Sequence, residues 1–183
     1  RTIYVWEGGM SFHGGFLGVF ISGVLFGVRK KINLLSLGDL IAFASPPGLF
    51  FGRIANFINA ELWGKPTTSI FGIQFTKGQG QFCPNPDDTP CFRHPSQLYE
   101  AFFEGIVLML IFYYLVFVFK AFKKPGLIFG SFLLGYGIVR FSIEFVREAD
   151  TFFITNENPY GYVFQLVPGI GISMGQLLTV PMI

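Results

Sequence analysis

Apolar residues fall along this chain in long blocks separated by short polar punctuation, and the length of those blocks sets the first expectation. A helix needs about 20 mainly apolar residues to cross the hydrocarbon core of a bilayer. Four segments approach that length: His13 to Val28, Leu37 to Glu61, Pro95 to Phe119 and Gly126 to Val146, with a partial fifth from Met174 to Ile183. The second opens at Gly38-Asp39, where Asp39 is placed to cap the helix. It also contains Pro46-Pro47-Gly48, which predicts a kink or break. Pro95 takes the first-turn position that tolerates proline, with His94 before it as cap. Loops 65–93 and 149–173 are polar and rich in Pro, Gly and Asn. The pattern predicts an all-α integral membrane protein. It is a single membrane domain over 1–183, a multi-pass helical bundle with two outward-facing polar loops.

Composition strengthens this picture. Hydrophobic residues make up 51% of the chain, charged residues 13%, and 25 residues are Phe. The mean hydropathy is +0.54. A soluble domain carries about 25% charged residues, so lipid is the natural solvent for this surface. A net charge of +2, with no basic stripe interleaved with aromatics, argues against nucleic acid. Arg1 opens without an initiator Met or signal-peptide pattern, and the last apolar segment stops midway, so the natural protein is expected to continue at both ends.

Charge sets the orientation. The short connections Arg29-Lys30-Lys31 and Lys120 to Lys124 are dense in cations, whereas the two longer loops are not. The positive-inside rule therefore places the short connections in the cytoplasm and the loops outside. Cys83 and Cys91 then lie outside, where a disulfide would persist, although two unpaired loop cysteines fit the sequence equally well.

Ionisable residues within spans cost roughly 2.5–3.5 kcal/mol at a helix centre and mark a site by default. Arg53 and Asn56 share a face of the second span, with Glu61 near its outer end. Tyr136, Arg140 and Glu144 recur every four residues in the fourth, and Arg147 extends the stripe. Gln97, Glu100 and Glu104 line the third, and His13 opens the first. At 1.5 Å per residue, Arg53 and Arg140 should lie roughly 10–12 Å below the outer helix ends. The inner halves look almost purely apolar, so one outer-leaflet site explains the polar groups of four spans. Two guanidinium groups there match a phosphate. Plainer readings exist for single residues. Arg140 with Glu144 suits a structural ion pair, Asn56 and Asn59 suit interhelical hydrogen bonding, and His13 suits a cap. Glu104 fits either role, and Gly130 and Gly135 fit close packing. No metal-ligand cluster, phosphate loop or nucleophile elbow is present.

These residues fall in runs that resemble the prolipoprotein diacylglyceryl transferase family. The run Gly52 to Gly64 (GRIANFINAELWG) resembles its signature, and His13-Gly14-Gly15 its upstream histidine-glycine motif. Arg93 to Ala101 (RHPSQLYEA) and Tyr136 to Phe145 (YGIVRFSIEF) resemble later motifs, in matching order and spacing. The resemblance implies transfer of the diacylglyceryl group of phosphatidylglycerol to the lipobox cysteine of prolipoproteins, forming a thioether and releasing glycerol phosphate. It implies a bacterial inner-membrane enzyme with its site toward the periplasmic face, partnered by lipid and signal peptide. His13, Arg53 and Arg140 take catalytic positions. Asn56, Glu61, Gly64, Tyr136 and Glu144 take substrate-binding ones, and His94, Glu100 and Glu104 support them. A family tyrosine from an upstream span has no counterpart here.

The chemistry expected is direct. A thiol of pKa about 8.5 needs its proton removed, and His13 is the candidate base. Arg53 and Arg140 would meet the charge developing on the phosphate, with Glu144 holding Arg140. The phosphate ester is already a leaving group, so no cofactor is expected. Competing readings are a membrane transporter, which needs polar lining through both halves, and a phospholipid-binding or phospholipid-hydrolysing protein with the same arginine-lined pocket.

Overall fold

The computed structural model describes residues 12–77, 79–81, 83, 90–148, 158, 161–167 and 170–183, with the side chains of 12–16, 79, 165–167 and 170 outside the description. Helix α1 spans Phe12–Lys30, and α2 spans Leu34–Ile58. A short antiparallel pair follows, β1 (Ile73–Gln74) with β2 (Phe92–Arg93), in the register Ile73 to Arg93 and Gln74 to Phe92. Helix α3 (Ser96–Glu100) then runs through a π-helical stretch (Ala101–Val107) into α4 (Leu108–Phe117). After a tight turn comes α5 (Leu127–Ile143). A hairpin of β3 (Tyr162–Val167) and β4 (Ile170–Ser173) leads into α6 (Met174–Thr179). The architecture is helical as expected, but the loops carry these two small sheets, so the chain is not purely α. Strands β1 and β2 are too short to stand out in composition, and the longer β3 is a mainly apolar run within a stretch expected to be polar loop.

Among the described residues, two helices are long and apolar enough to cross a membrane, Leu34–Ile58 and Ser96–Phe117, while Leu127–Ile143 is a shorter apolar helix. Helix α2 packs against α5 and the π-helical stretch, and the central cluster joins Ala42, Leu108, Phe112, Ala121 and Ile128. Outward faces stay apolar: Leu25, Phe51, Leu110 and Phe117 are among many large exposed side chains. Such surfaces suit lipid rather than water.

Several local expectations change. Asn33, not Asp39, caps α2, accepting the N–H groups of Leu35 (2.9 Å) and Ser36 (3.2 Å). Asp39 lies nearly two turns further on, is 1% exposed, and accepts the N–H groups of Gly126 (2.7 Å) and Phe129 (2.8 Å) at the start of α5. The end where α2 and α5 begin therefore holds a buried carboxylate, satisfied by the orphan donors of a neighbouring helix. Pro46 and Pro47 lie inside α2 without breaking it. Ser45 returns its hydroxyl to the Ile41 carbonyl at 2.7 Å just before them. Pro95 is the N-cap residue of α3 rather than its first turn, and no side chain caps that helix. Gly135 does sit in close packing, where an added Cβ would meet Leu108 at 2.7 Å, but nothing lies within 4 Å of one at Gly130.

Candidate active site

Three helix ends supply one cluster of ionised side chains. Arg53 reaches from the last turns of α2 and places Nε 2.8 Å from Glu100 Oε2 and a terminal nitrogen 3.5 Å from Glu104 Oε2. Arg140, in the last turn of α5, places one terminal nitrogen 3.2 Å from Glu100 Oε1 and the other 2.8 Å from Glu144 Oε2. Glu100 is thus held between guanidinium groups from two helices, one on each oxygen. The glutamates of α3 and the π-helical stretch are fully buried, and the arginine side chains keep 17% and 11% exposure. Burying a carboxylate is costly unless it is paired, and here each acid has a cation. A helix end assists Arg140, which lies in the last turn of α5.

Helix α2 ends at Ile58 and α5 at Ile143, so both arginines lie about 5–8 Å from their helix ends, closer than the spacing alone predicted. Each guanidinium has five N–H donors in a planar fork, more than its carboxylate contacts engage. The acids hold the planes of both guanidinium groups. Tyr136, one turn before Arg140, stacks on Phe132 with centroids 5.7 Å apart and stands within electrostatic reach of both arginines, Glu100 and Glu104. Glu104 Oε1 is buried without a hydrogen-bond partner among the described residues.

Glu61 belongs to a neighbouring group. Its Oε1 accepts the side-chain amides of Asn56 (2.8 Å) and Asn59 (3.3 Å), and its carbonyl accepts Gln97 Nε2 at 2.5 Å. Left-handed backbone at Ala60 (φ 53°) and Leu62 (φ 58°) turns the chain on either side of it. Non-glycine residues take that region at a cost, and such strain gathers at functional sites. Asn56 therefore fixes Glu61, while Arg53, three residues earlier, joins the arginine cluster.

Gly64 is where three segments meet. Its N–H donates to the His94 carbonyl at 2.9 Å, and it bridges to Arg147 in antiparallel fashion. A Cβ there would fall 2.6 Å from the His94 carbonyl oxygen and 2.7 Å from that of Val146, so only glycine fits. Lys65 extends the junction: its N–H donates to Val146 O (2.8 Å), its carbonyl accepts His94 N–H (3.0 Å), and its ammonium donates to Phe145 O (3.0 Å). Desolvation holds the Lys65 ammonium below its usual pKa, against the upward pull of Glu144 and Glu148. His94 does not cap α3. Its Nδ1 stands 3.4 Å from the Tyr99 hydroxyl, and partial burial pushes the imidazole below its ordinary value.

The sequence reading missed a second polar group just outside this junction. Arg93 is buried, pairs with Glu148, donates to Gly80 O (3.0 Å) and Gly64 O (3.2 Å), and lies 5.8 Å from the Trp63 ring centroid. Trp63 Nε1 donates to Glu148 at 2.9 Å. Cys83 and Cys91 are joined in a disulfide with Cα atoms 5.4 Å apart, which settles the alternative left by the sequence. Ser173 was also missed: its hydroxyl donates to Glu144 Oε1 at 2.9 Å. The signal was the Ser173-Met174-Gly175-Gln176 pattern of a capping box. His13 is the second residue of α1, and its side chain lies outside the described residues.

Comparison with known proteins identifies the family. The family model described as prolipoprotein diacylglyceryl transferase matches residues 1–183. A phosphatidylglycerol–prolipoprotein diacylglyceryl transferase of Cereibacter sphaeroides (strain ATCC 17025 / ATH 2.4.3) is 53% identical over 182 residues, covering 100% of this chain and 62% of that protein. The similarly named proteins of Ruegeria pomeroyi and Caulobacter vibrioides (strain NA1000 / CB15N) are 50% and 47% identical, covering 100% and 98% of this chain and 61% and 56% of their own lengths. The chain therefore spans about three fifths of the relatives it matches. With the family model matched from end to end, this chain belongs to the prolipoprotein diacylglyceryl transferase family.

Proposed function

We propose that this chain carries the phosphate-recognising part of a site that transfers the diacylglyceryl group of phosphatidylglycerol to the lipobox cysteine of a prolipoprotein. The observation that carries the reading is the convergence of Arg53 and Arg140, from α2 and α5, on the single buried carboxylate of Glu100. The relatives are phosphatidylglycerol–prolipoprotein diacylglyceryl transferases, and that activity supplies donor and acceptor.

In this reading the cysteine thiolate attacks the glycerol carbon bonded to the phosphate oxygen. The carbon–sulfur bond forms as the carbon–oxygen bond breaks, and glycerol phosphate leaves with the electron pair. The thiol proton passes to a base, for which His13 is our candidate. Charge on the departing phosphate is met by the free edges of Arg53 and Arg140, preorganised by Glu100, Glu104 and Glu144 so that little reorganisation is needed as it develops. Asn56, Glu61 and Gly64 shape the rim, and Tyr136 presents its phenol beside the arginines. The site faces the outer leaflet of the bacterial inner membrane within a multi-pass bundle, with the lysine-rich turns in the cytoplasm.

The test is incubation of full-length enzyme with labelled phosphatidylglycerol, with and without a lipobox peptide. Glycerol phosphate release that depends on the peptide thiol is expected. Release without peptide would make the protein a phospholipase, and binding without release would make it a lipid carrier. Full-length His13→Gln should lose most of its peptide-dependent turnover, and near-normal turnover would remove His13 as the base.

A further inference from the structure

Ser173 closes strand β4 and caps α6, and its hydroxyl is committed on both sides. Oγ accepts the backbone N–H of Gln176 at 3.2 Å, while Gln176 Oε1 accepts the Ser173 N–H at 3.1 Å, completing a capping box. The single hydroxyl proton is donated to Glu144 Oε1 at 2.9 Å. Ser173 and Gln176 are both buried. Two residues further on, a Cβ on Gly175 would fall 2.5–2.7 Å from Oε1, Cδ and Oε2 of the same carboxylate. The first turn of α6 therefore offers Glu144 a hydroxyl and a bare stretch of backbone. The other carboxylate oxygen, Oε2, faces Arg140 at 2.8 Å.

We propose that Ser173 and Gly175 form a seat that fixes the Glu144 carboxylate and, through it, the plane of Arg140. They are positioning residues for the reaction proposed above, on which this inference rests. A neutral donor on Oε1 satisfies that oxygen without adding a further cation, and leaves Oε2 to Arg140 at 2.8 Å and, more distantly, to Arg147 at 4.0 Å. Remove the hydroxyl, and a buried oxygen loses its donor. Add a Cβ at Gly175, and the carboxylate must move. Either change displaces a guanidinium whose use depends on meeting the phosphate as it leaves, and small misplacements of this kind cost rate more than ground-state binding.

The capping role and the seating role separate by substitution. Aspartate caps a helix as well as serine, but sets a second carboxylate against Glu144. Threonine keeps both the cap and the O–H donor. Full-length enzyme is assayed in phosphatidylglycerol vesicles with a lipobox peptide, reading kcat, KM and thermal midpoint. Ser173→Thr should keep kcat within about twofold, whereas Ser173→Ala should lose about 10-fold and Ser173→Asp about 100-fold, with KM for the lipid changed less than about threefold. Gly175→Ala should lose kcat in the same way, and decides the matter if Ser173→Asp does not fold. Wild-type kcat in Ser173→Asp or Gly175→Ala overturns the seat, and so does a loss in Ser173→Thr that follows its thermal midpoint. Wild-type enzyme without peptide-dependent turnover counts against the reaction itself, a result distinct from failure of the seat.

Discussion

Among single residues, Glu100 and Arg140 carry the sharpest consequences. Glu100 has no exposed surface to speak of, and each of its oxygens meets a different arginine. Glu100→Gln keeps the shape but removes the charge, and turns an amide donor toward one guanidinium. A hydrogen bond to a charged group is worth roughly 1.5–3 kcal/mol, so turnover should fall by about 10- to 100-fold in lipid vesicles. Arg140→Lys is a harsher change than it looks. Arg140 divides its two terminal nitrogens between Glu100 and Glu144, and an ammonium on a flexible stem cannot reproduce that planar fork. A loss of about 100-fold in kcat is expected, in line with removal of one transition-state donor. Unaltered kinetics in Arg140→Lys would reduce the cluster to a brace between helices.

At the level of elements, the two helix caps near the start of α2 differ in what they protect. Asn33 caps its own helix in an exposed turn, and Asn33→Ala should cost about 1 kcal/mol. Asp39 uses both oxygens on the first amides of α5 while fully buried. Asp39→Asn leaves one acceptor and one misplaced donor there, so a larger loss, about 1–3 kcal/mol, is expected. Thermal melts in detergent would rank the two, and the reverse order would mean that Asp39 does not hold α5. This pair also shows where the sequence was legible. Helical spacing put Arg140 and Glu144 on one stripe, and the structure joins them at 2.8 Å. Spacing within one helix could not say which helix lies opposite. The bridging role of Glu100, the reach of Asp39 to α5 and the approach of Ser173 to Glu144 therefore appear only once elements are packed. The strands of the long loops escaped for other reasons: the two-residue pairing of β1 and β2 leaves no period to detect, and the six residues of β3 form a mainly apolar run without alternation.

Across the whole molecule, the arginine–glutamate cluster and the lysine-rich turns lie at opposite ends of the helices. The C-terminal ends of α2 and α5 and the N-terminus of α3 meet at the Gly64, Lys65 and His94 junction, beside the arginine cluster. At the other end lie Arg29 and Lys30 in the last turn of α1, Lys31 just after it, and Lys120, Lys123 and Lys124 before α5, together with Asp39. If the lysine-rich end is cytoplasmic, the Cys83–Cys91 disulfide beside the junction is exported with the site, into a compartment where it persists. In protein from which any cysteine outside this chain has been removed, a membrane-impermeant maleimide added to intact spheroplasts should then label only after an impermeant reductant has opened that disulfide. Lys123→Cys, made in a Cys83→Ser, Cys91→Ser background, should instead label only after permeabilisation, since Lys123 lies exposed in the turn at the opposite end. The reverse pattern would turn the bundle over, placing both guanidinium groups against the inner leaflet, away from any exported cysteine that the proposed transfer needs.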